Sequence, residues 1–160
     1  MGGGRIHKIF RSKATIQDSR KLARSVTSAL QQAVADQDTQ YELELVITEA
    51  CYNVIIHGYD NDERGDIEAH IFVDDQNRLV IEIVDWGKPF TGPGEEVFEP
   101  EPDRESGRGI FIISQISDRF SYEHAHGKNF LRIEKDLDKK DMTGGACCQE
   151  AKDRAYSDQT

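Results

Sequence analysis

Residues 67–84 run Ile67-Glu68-Ala69-His70-Ile71-Phe72-Val73, then Asp74-Asp75-Gln76-Asn77 and Arg78, then Leu79-Val80-Ile81-Glu82-Ile83-Val84. Both apolar stretches alternate with period two, and the polar residues between them have turn composition. The pattern predicts an antiparallel hairpin. Its neighbours decide the class. Upstream, Ile6-His7-Lys8-Ile9-Phe10 reads as a short strand. A helix begins near Thr15 to Asp18 and carries Leu22, Val26, Leu30 and Ala33 on one stripe. A second helix starts at Thr39, where Thr39-Gln40-Tyr41-Glu42 has the form of a capping box. It runs to His57, with Gly58 as its stop, and Leu43, Val46, Ile47, Ala50 and Val54 make its apolar face. Downstream, Gly109 to Ser117 reads as an apolar helix, and strands follow at 119–125 and 128–136.

Helices grouped with mostly antiparallel strands predict an α+β fold: a two-layer sandwich whose mixed, mostly antiparallel sheet has its helices on one face. The chain has 160 residues, enough for one core of ordinary size. The expected organisation is a flexible N-terminus at 1–4, a folded domain at 5–137 and a polar, disordered tail at 138–160.

The formal charge of −10 argues against a general nucleic-acid binder, which needs a basic surface. Residues 1–24 nevertheless carry seven basic residues against Asp18, a net of +6, so the remaining 136 residues sum to −16. No apolar run approaches the ~20 residues of a membrane span. Met1-Gly2-Gly3-Gly4-Arg5 has no apolar stretch of signal-peptide type, and Ile6 breaks the myristoylation pattern. Three cysteines, Cys51 and the adjacent Cys147-Cys148, form no disulfide framework and no metal spacing. A cytoplasmic protein without direct nucleic-acid or membrane contact is expected.

Residues 86–109 hold all four prolines and five of the thirteen glycines, with Glu95, Glu96, Glu99, Glu101, Asp103 and Glu105 between them. A loop of roughly 20 residues inside a compact domain is usually a lid or a binding segment. Three short motifs surround it. Glu49, Asn53 and His57 recur at i, i+4 and i+8, one polar stripe on an otherwise apolar helix. Asp85-Trp86-Gly87 ends the hairpin, and an acid beside glycine there can accept from a ligand amine while backbone approaches closely. Gly107-Arg108-Gly109 opens a helix, where amides and the helix dipole favour an anion. Each motif alone also has a plain structural reading: a solvated helix face, a turn, a helix start.

Their order is the specific signal. Glu49-Ala50-Cys51-Tyr52-Asn53-Val54-Ile55-Ile56-His57-Gly58-Tyr59, Asp85-Trp86-Gly87-Lys88-Pro89-Phe90 and Ser106-Gly107-Arg108-Gly109-Ile110-Phe111-Ile112-Ile113 resemble three boxes of the GHKL (Bergerat-fold) ATPase superfamily. The resemblance is strongest to its small stand-alone members, the anti-sigma-factor serine-protein kinases of bacterial partner switching, and covers residues 5–136. It implies ATP and Mg²⁺ as cofactors, with a sigma factor and a small serine-bearing antagonist protein as partners. It also implies roles: Glu49 as general base, Asn53 as the Mg²⁺ ligand, Asp85 as acceptor from the adenine amine, and Gly87 as the residue that admits the base. Gly107 and Gly109 would approach the phosphates, residues 88–106 would form the ATP lid, and His57 joins the nucleotide-binding set. The chain departs from the family at Gly127-Lys128-Asn129, where these proteins often carry a Gly-Thr pair at the phosphates. Lys128 or Arg108 would stand in for that contact.

The expected function is thus an ATP-binding anti-sigma factor that phosphorylates its antagonist. The alternative is a non-catalytic, nucleotide-gated binding module. Two further features keep two readings each. Phe72, Val80 and Val84 point away from the Ile71/Ile81/Ile83 face and form either a homodimer surface or a plain uncovered sheet face. His124 and His126 share a strand face, but two ligands make no metal site.

Overall fold

A computed structural model describes residues 6–90 and 107–137. The proposed ends at 1–4 and 138–160, the Cys147-Cys148 pair and most of the proposed lid lie outside these residues. Within them the elements are β1 (Ile6–Lys13), α1 (Ile16–Leu30), α2 (Gln37–Asn53), a π-helical turn (Val54–Gly58), β2 (Asp66–Val73), β3 (Arg78–Asp85), α3 (Arg108–Ile116), β4 (Arg119–Ala125) and β5 (Lys128–Asp136). The strands form one sheet in the order β1-β2-β3-β5-β4, and every pairing is antiparallel. The predicted hairpin is present, with Ile71 opposite Ile81 and Ala69 opposite Ile83.

One face of this sheet carries the core. Ile67, Ala69, Ile71 and Val73 alternate along β2, Leu79, Ile81 and Ile83 along β3, and Leu131 and Ile133 along β5. Leu22, Val26 and Leu30 of α1 meet Leu43, Val46, Ile47 and Ala50 of α2 over these strands. From α3 the buried pair is Ile110 and Ile113, spaced i, i+3, with Phe111 and Ile112 only half-buried. Cys51 lies inside this layer, where burial pushes its thiol up to about 12. It is a small apolar filler, not a nucleophile.

On the opposite face, alternation puts His7, Phe72, Val80 and Glu134 in one row across four strands. Val80 and Val84 are nevertheless buried within the single chain, so the exposed apolar groups there are Ile9 and Phe72. The basic N-terminal segment is partly neutralised across β1 and β2, where Arg11 pairs with Glu68 and Lys13 with Asp66. Among the described residues no helix is long and apolar enough to cross a membrane.

The start of α2 differs from the expected capping box. The helix begins two residues earlier, at Gln37, and Asp36 is its N-cap: the carboxylate accepts from Thr39 N at 2.9 Å and Thr39 Oγ1 at 2.8 Å. Asp caps at least as well as Thr, and the Thr39 hydroxyl is spent as a donor to it. Replacing Asp36 with Ala is expected to cost about 1 kcal/mol. That lowers the melting temperature by about 2–4 °C in a chain of this size, measurable by thermal circular dichroism. The end of α2 differs too. Regular helix stops at Asn53, and the wider π turn carries the chain through His57 to Gly58. Such turns inside helices frequently mark functional sites.

Candidate functional site

Glu49 and Asn53 occupy the last regular turn of α2 and face the N-terminus of α3. A methyl group built on Gly109 would lie 2.8 Å from Glu49 Oε2 and 3.5 Å from Asn53 Oδ1. The missing side chain of Gly109 is therefore what lets α3 seat against the two polar groups. Burial raises the Glu49 carboxyl above its ordinary value of 4.5. Asn53 Nδ2 is buried without a hydrogen-bond partner among the described residues. An orphaned buried donor is costly and calls for an acceptor from outside the described residues. Gly107, immediately before α3, has φ +89°, a left-handed conformation that glycine adopts without strain.

Asp85, the last residue of β3, is 5% exposed and is the second polar centre. Its Oδ1 accepts from Gly87 N at 2.8 Å and from Asn129 Nδ2 at 2.8 Å. Burial raises its carboxyl, and these two bonds with the nearby His124 counteract only part of the shift. A cleft of about 380 Å³, counting its open mouth, joins the two centres. Asn53, His57, Asp85, Phe90, Ile110 and Tyr122 are among its walls. Apolar walls with a few convergent polar groups are the make-up of a small-molecule site.

The cleft gathers Asn53, His57 and Asp85, with Glu49 and Gly109 adjoining at its α2/α3 side. His57, in the π turn, stands 6.1 Å from the Phe90 ring, and Phe90 stands 5.5 Å from Tyr122. Lys128 and Arg108 are not among the walls. The Lys128 ammonium lies over the Trp86 ring, 5.6 Å from its centroid, and Arg108 is an exposed first residue of α3. Residues 91–106 of the proposed lid lie outside the described residues. Among the described residues no group of three His, Cys, Asp or Glu could hold a metal. His126 sits in the β4–β5 turn with φ +54°, not on the strand face expected for it.

Three participants were not legible as such. The missing side chain of Gly87 makes room for protein backbone: a methyl there would meet the Gly58 carbonyl carbon and oxygen at 2.5 Å. Gly58, expected only to stop a helix, is the partner in that approach, and Lys88 N donates to its carbonyl at 2.8 Å. Asn129 stands on Asp85, its Nδ2 donating to Oδ1 at 2.8 Å. Tyr59 braces the same corner: its hydroxyl donates to Asp66 O at 2.7 Å and accepts from Trp86 N at 2.9 Å.

Comparison with known proteins identifies the family and the fold. Residues 12–135 match the family model of the histidine kinase-like ATPase domain. The chain is 30% identical over 91 residues to the anti-sigma F factor of Clostridium acetobutylicum, covering 54% of this chain and 62% of that protein. It is 31% identical over 98 residues to the serine-protein kinase RsbW of Bacillus thuringiensis, covering 56% of this chain and 60% of that protein. The matches thus span about three-fifths of each relative's length. A solved histidine kinase domain, from the blue-light activated histidine kinase EL346 of Erythrobacter litoralis, shares the fold. The two superpose with a TM-score of 0.52 at 13% identity, over 76% of this chain and 62% of that one. With three-quarters of its length inside the family model, the chain belongs to the histidine kinase-like ATPase domain family.

Proposed function

We propose that this protein binds ATP in the cleft and transfers its γ-phosphate to a serine of an antagonist protein, while its other partner is a sigma factor that it sequesters. The observation that carries the reading is the buried Asn53 Nδ2, without a partner among the described residues, beside the desolvated Glu49 and against Gly109. The family and the names of the two bacterial relatives support it.

The residues fit the ligands. The Asn53 donor suits a phosphate oxygen, and its amide oxygen is the atom that would hold Mg²⁺. That ion, when bound, supplies charge neutralisation for the triphosphate. Glu49 takes the proton from the serine hydroxyl, and burial makes it a better acceptor than a solvated carboxylate. Asp85 accepts from the exocyclic amine of adenine. The amides of α3's first turn, beginning at Gly107, add partial positive charge at the phosphates.

The test is incubation of the full chain with labelled ATP, Mg²⁺ and a candidate antagonist. Label on the antagonist serine is the expected result. No transfer from a chain that binds ATP overturns the kinase reading. Nucleotide-dependent sigma binding without transfer would replace it with the gated binding module.

A further inference from the structure

The turn after β3 is tied to β5 by one buried side chain. Asn129 is 1% exposed, and its Nδ2 faces three acceptors: Asp85 Oδ1 at 2.8 Å, Gly87 O at 3.1 Å and Lys88 O at 3.2 Å. An amide oxygen at that place would meet three oxygens, so the surroundings fix which end is nitrogen. The amide oxygen therefore faces His124 Nδ1 at 2.7 Å, and His124 must donate. The proton sits on Nδ1. At the other end, Asp85 Oδ1 already holds two donors, while no hydrogen bond among the described residues reaches Oδ2.

We propose that His124 and Asn129 form a positioning relay that pins the Asp85 carboxylate, and that the pinning sets the preference for a base bearing an exocyclic amine. This rests on the nucleotide reading above. An amine donates to the open oxygen. A base with a carbonyl at that place presents acceptor to acceptor, but carries an N–H on the neighbouring ring nitrogen. A carboxylate free to pivot reaches that N–H and accepts the wrong base. Held by Gly87 N and Asn129 Nδ2, Asp85 cannot pivot without breaking two bonds. Discrimination built on unpaired buried polar groups is the strong kind. His124 contributes by anchoring the amide oxygen: without its donor a buried acceptor is left unpaired, and the amide is free to shift off Asp85.

ATP and ITP, which differ at the amine, separate this role from simple support. Affinities of both are measured for the full-length wild type, Asn129→Leu, His124→Phe and His124→Gln. The wild type is expected to prefer ATP by at least about tenfold, the scale of one misplaced polar group. In His124→Phe the ratio falls several-fold, in Asn129→Leu it approaches one, and His124→Gln, which keeps an N–H donor, recovers part of it. A merely structural role would weaken both nucleotides together and leave the ratio unchanged. If Asn129→Leu fails to fold, His124→Phe decides, because His124 is an exposed strand position. An unchanged ratio in folded variants overturns the relay alone. A wild type that binds no ATP overturns the nucleotide reading and the relay with it.

Discussion

Replacing Glu49 with Gln is expected to slow serine phosphorylation by about 100- to 10,000-fold, the usual contribution of a positioned general base. The same change should make the folded protein more stable at pH 7. Glu49 is half-buried against α3, and burial raises its carboxyl above 4.5. A raised carboxyl means that the fold disfavours the ionised form. Stability from this group is full below the ordinary value of 4.5 and is lost as pH rises through the higher folded value. Gln never ionises, so the variant avoids that loss. Thermal melts should show the variant above the wild type at pH 7 and the gap closing at pH 4. ATP affinity should change little, because in the proposed reaction Glu49 acts on the acceptor hydroxyl and not on the nucleotide. The pairing of lost activity with gained stability is the mark of a functional group kept in an unfavourable place. Transfer within about tenfold of the wild type would remove Glu49 from the role of base. Equal melting temperatures at both pH values would remove the desolvation argument.

Much of this was written in period and spacing. The alternation at 67–84 identified the hairpin and its core-facing residues, though not the burial of Val80 and Val84 on the other face, and Glu49 and Asn53 at i, i+4 had to share one side of a helix. What escaped were features that depend on contacts between segments far apart in the chain. Gly58 and Gly87 read as a stop and a ligand clearance, because nothing local says that two backbones 29 residues apart will touch. Asn129 was read only as part of a departure from the Gly-Thr pair, with Lys128 or Arg108 as the stand-ins, because its partner Asp85 lies on the neighbouring strand and only the β3–β5 register brings Asp85 opposite Asn129. The π turn escaped for another reason: Val54-Ile55-Ile56-His57 continues the helical pattern, and the widening comes from tertiary fit. His57 consequently meets Phe90 at the cleft wall and does not simply extend the Glu49/Asn53 stripe. The Asp36 cap was legible in principle. Asp36 and Thr39 are both good caps three residues apart, and the capping-box pattern favoured the second.

Gly87→Ala is expected to be the most damaging of the glycine substitutions at this site, for stability and nucleotide binding together. Its methyl would lie 2.5 Å from the Gly58 carbonyl carbon and oxygen and 2.8 Å from Gly58 Cα. All three are backbone atoms, so no rotamer change relieves the overlap. The other glycines set the scale. At Gly109 the nearest atom is the far end of the Glu49 side chain, which can swing away. A methyl at Gly58 would come no nearer than 3.3 Å, to Asp85 Oδ1. Gly107 has nothing within 4 Å, and alanine there meets only the cost of its left-handed backbone, of order 1 kcal/mol. At Gly87 the turn itself must move. Lys88 N then leaves Gly58 O, and Gly87 N leaves Asp85 Oδ1. Overpacking of this kind costs about 1–3 kcal/mol, or roughly 2–12 °C of melting temperature in a chain this long. Because the displaced amide is one of two donors that hold Asp85, ATP affinity should fall more than about tenfold in the molecules that remain folded. Thermal melts and ATP titration of Gly87→Ala beside Gly107→Ala test the ordering. A Gly87→Ala protein that melts and binds like the wild type would mean that the Gly58 turn yields freely, and the close backbone approach would then carry no weight in shaping the cleft.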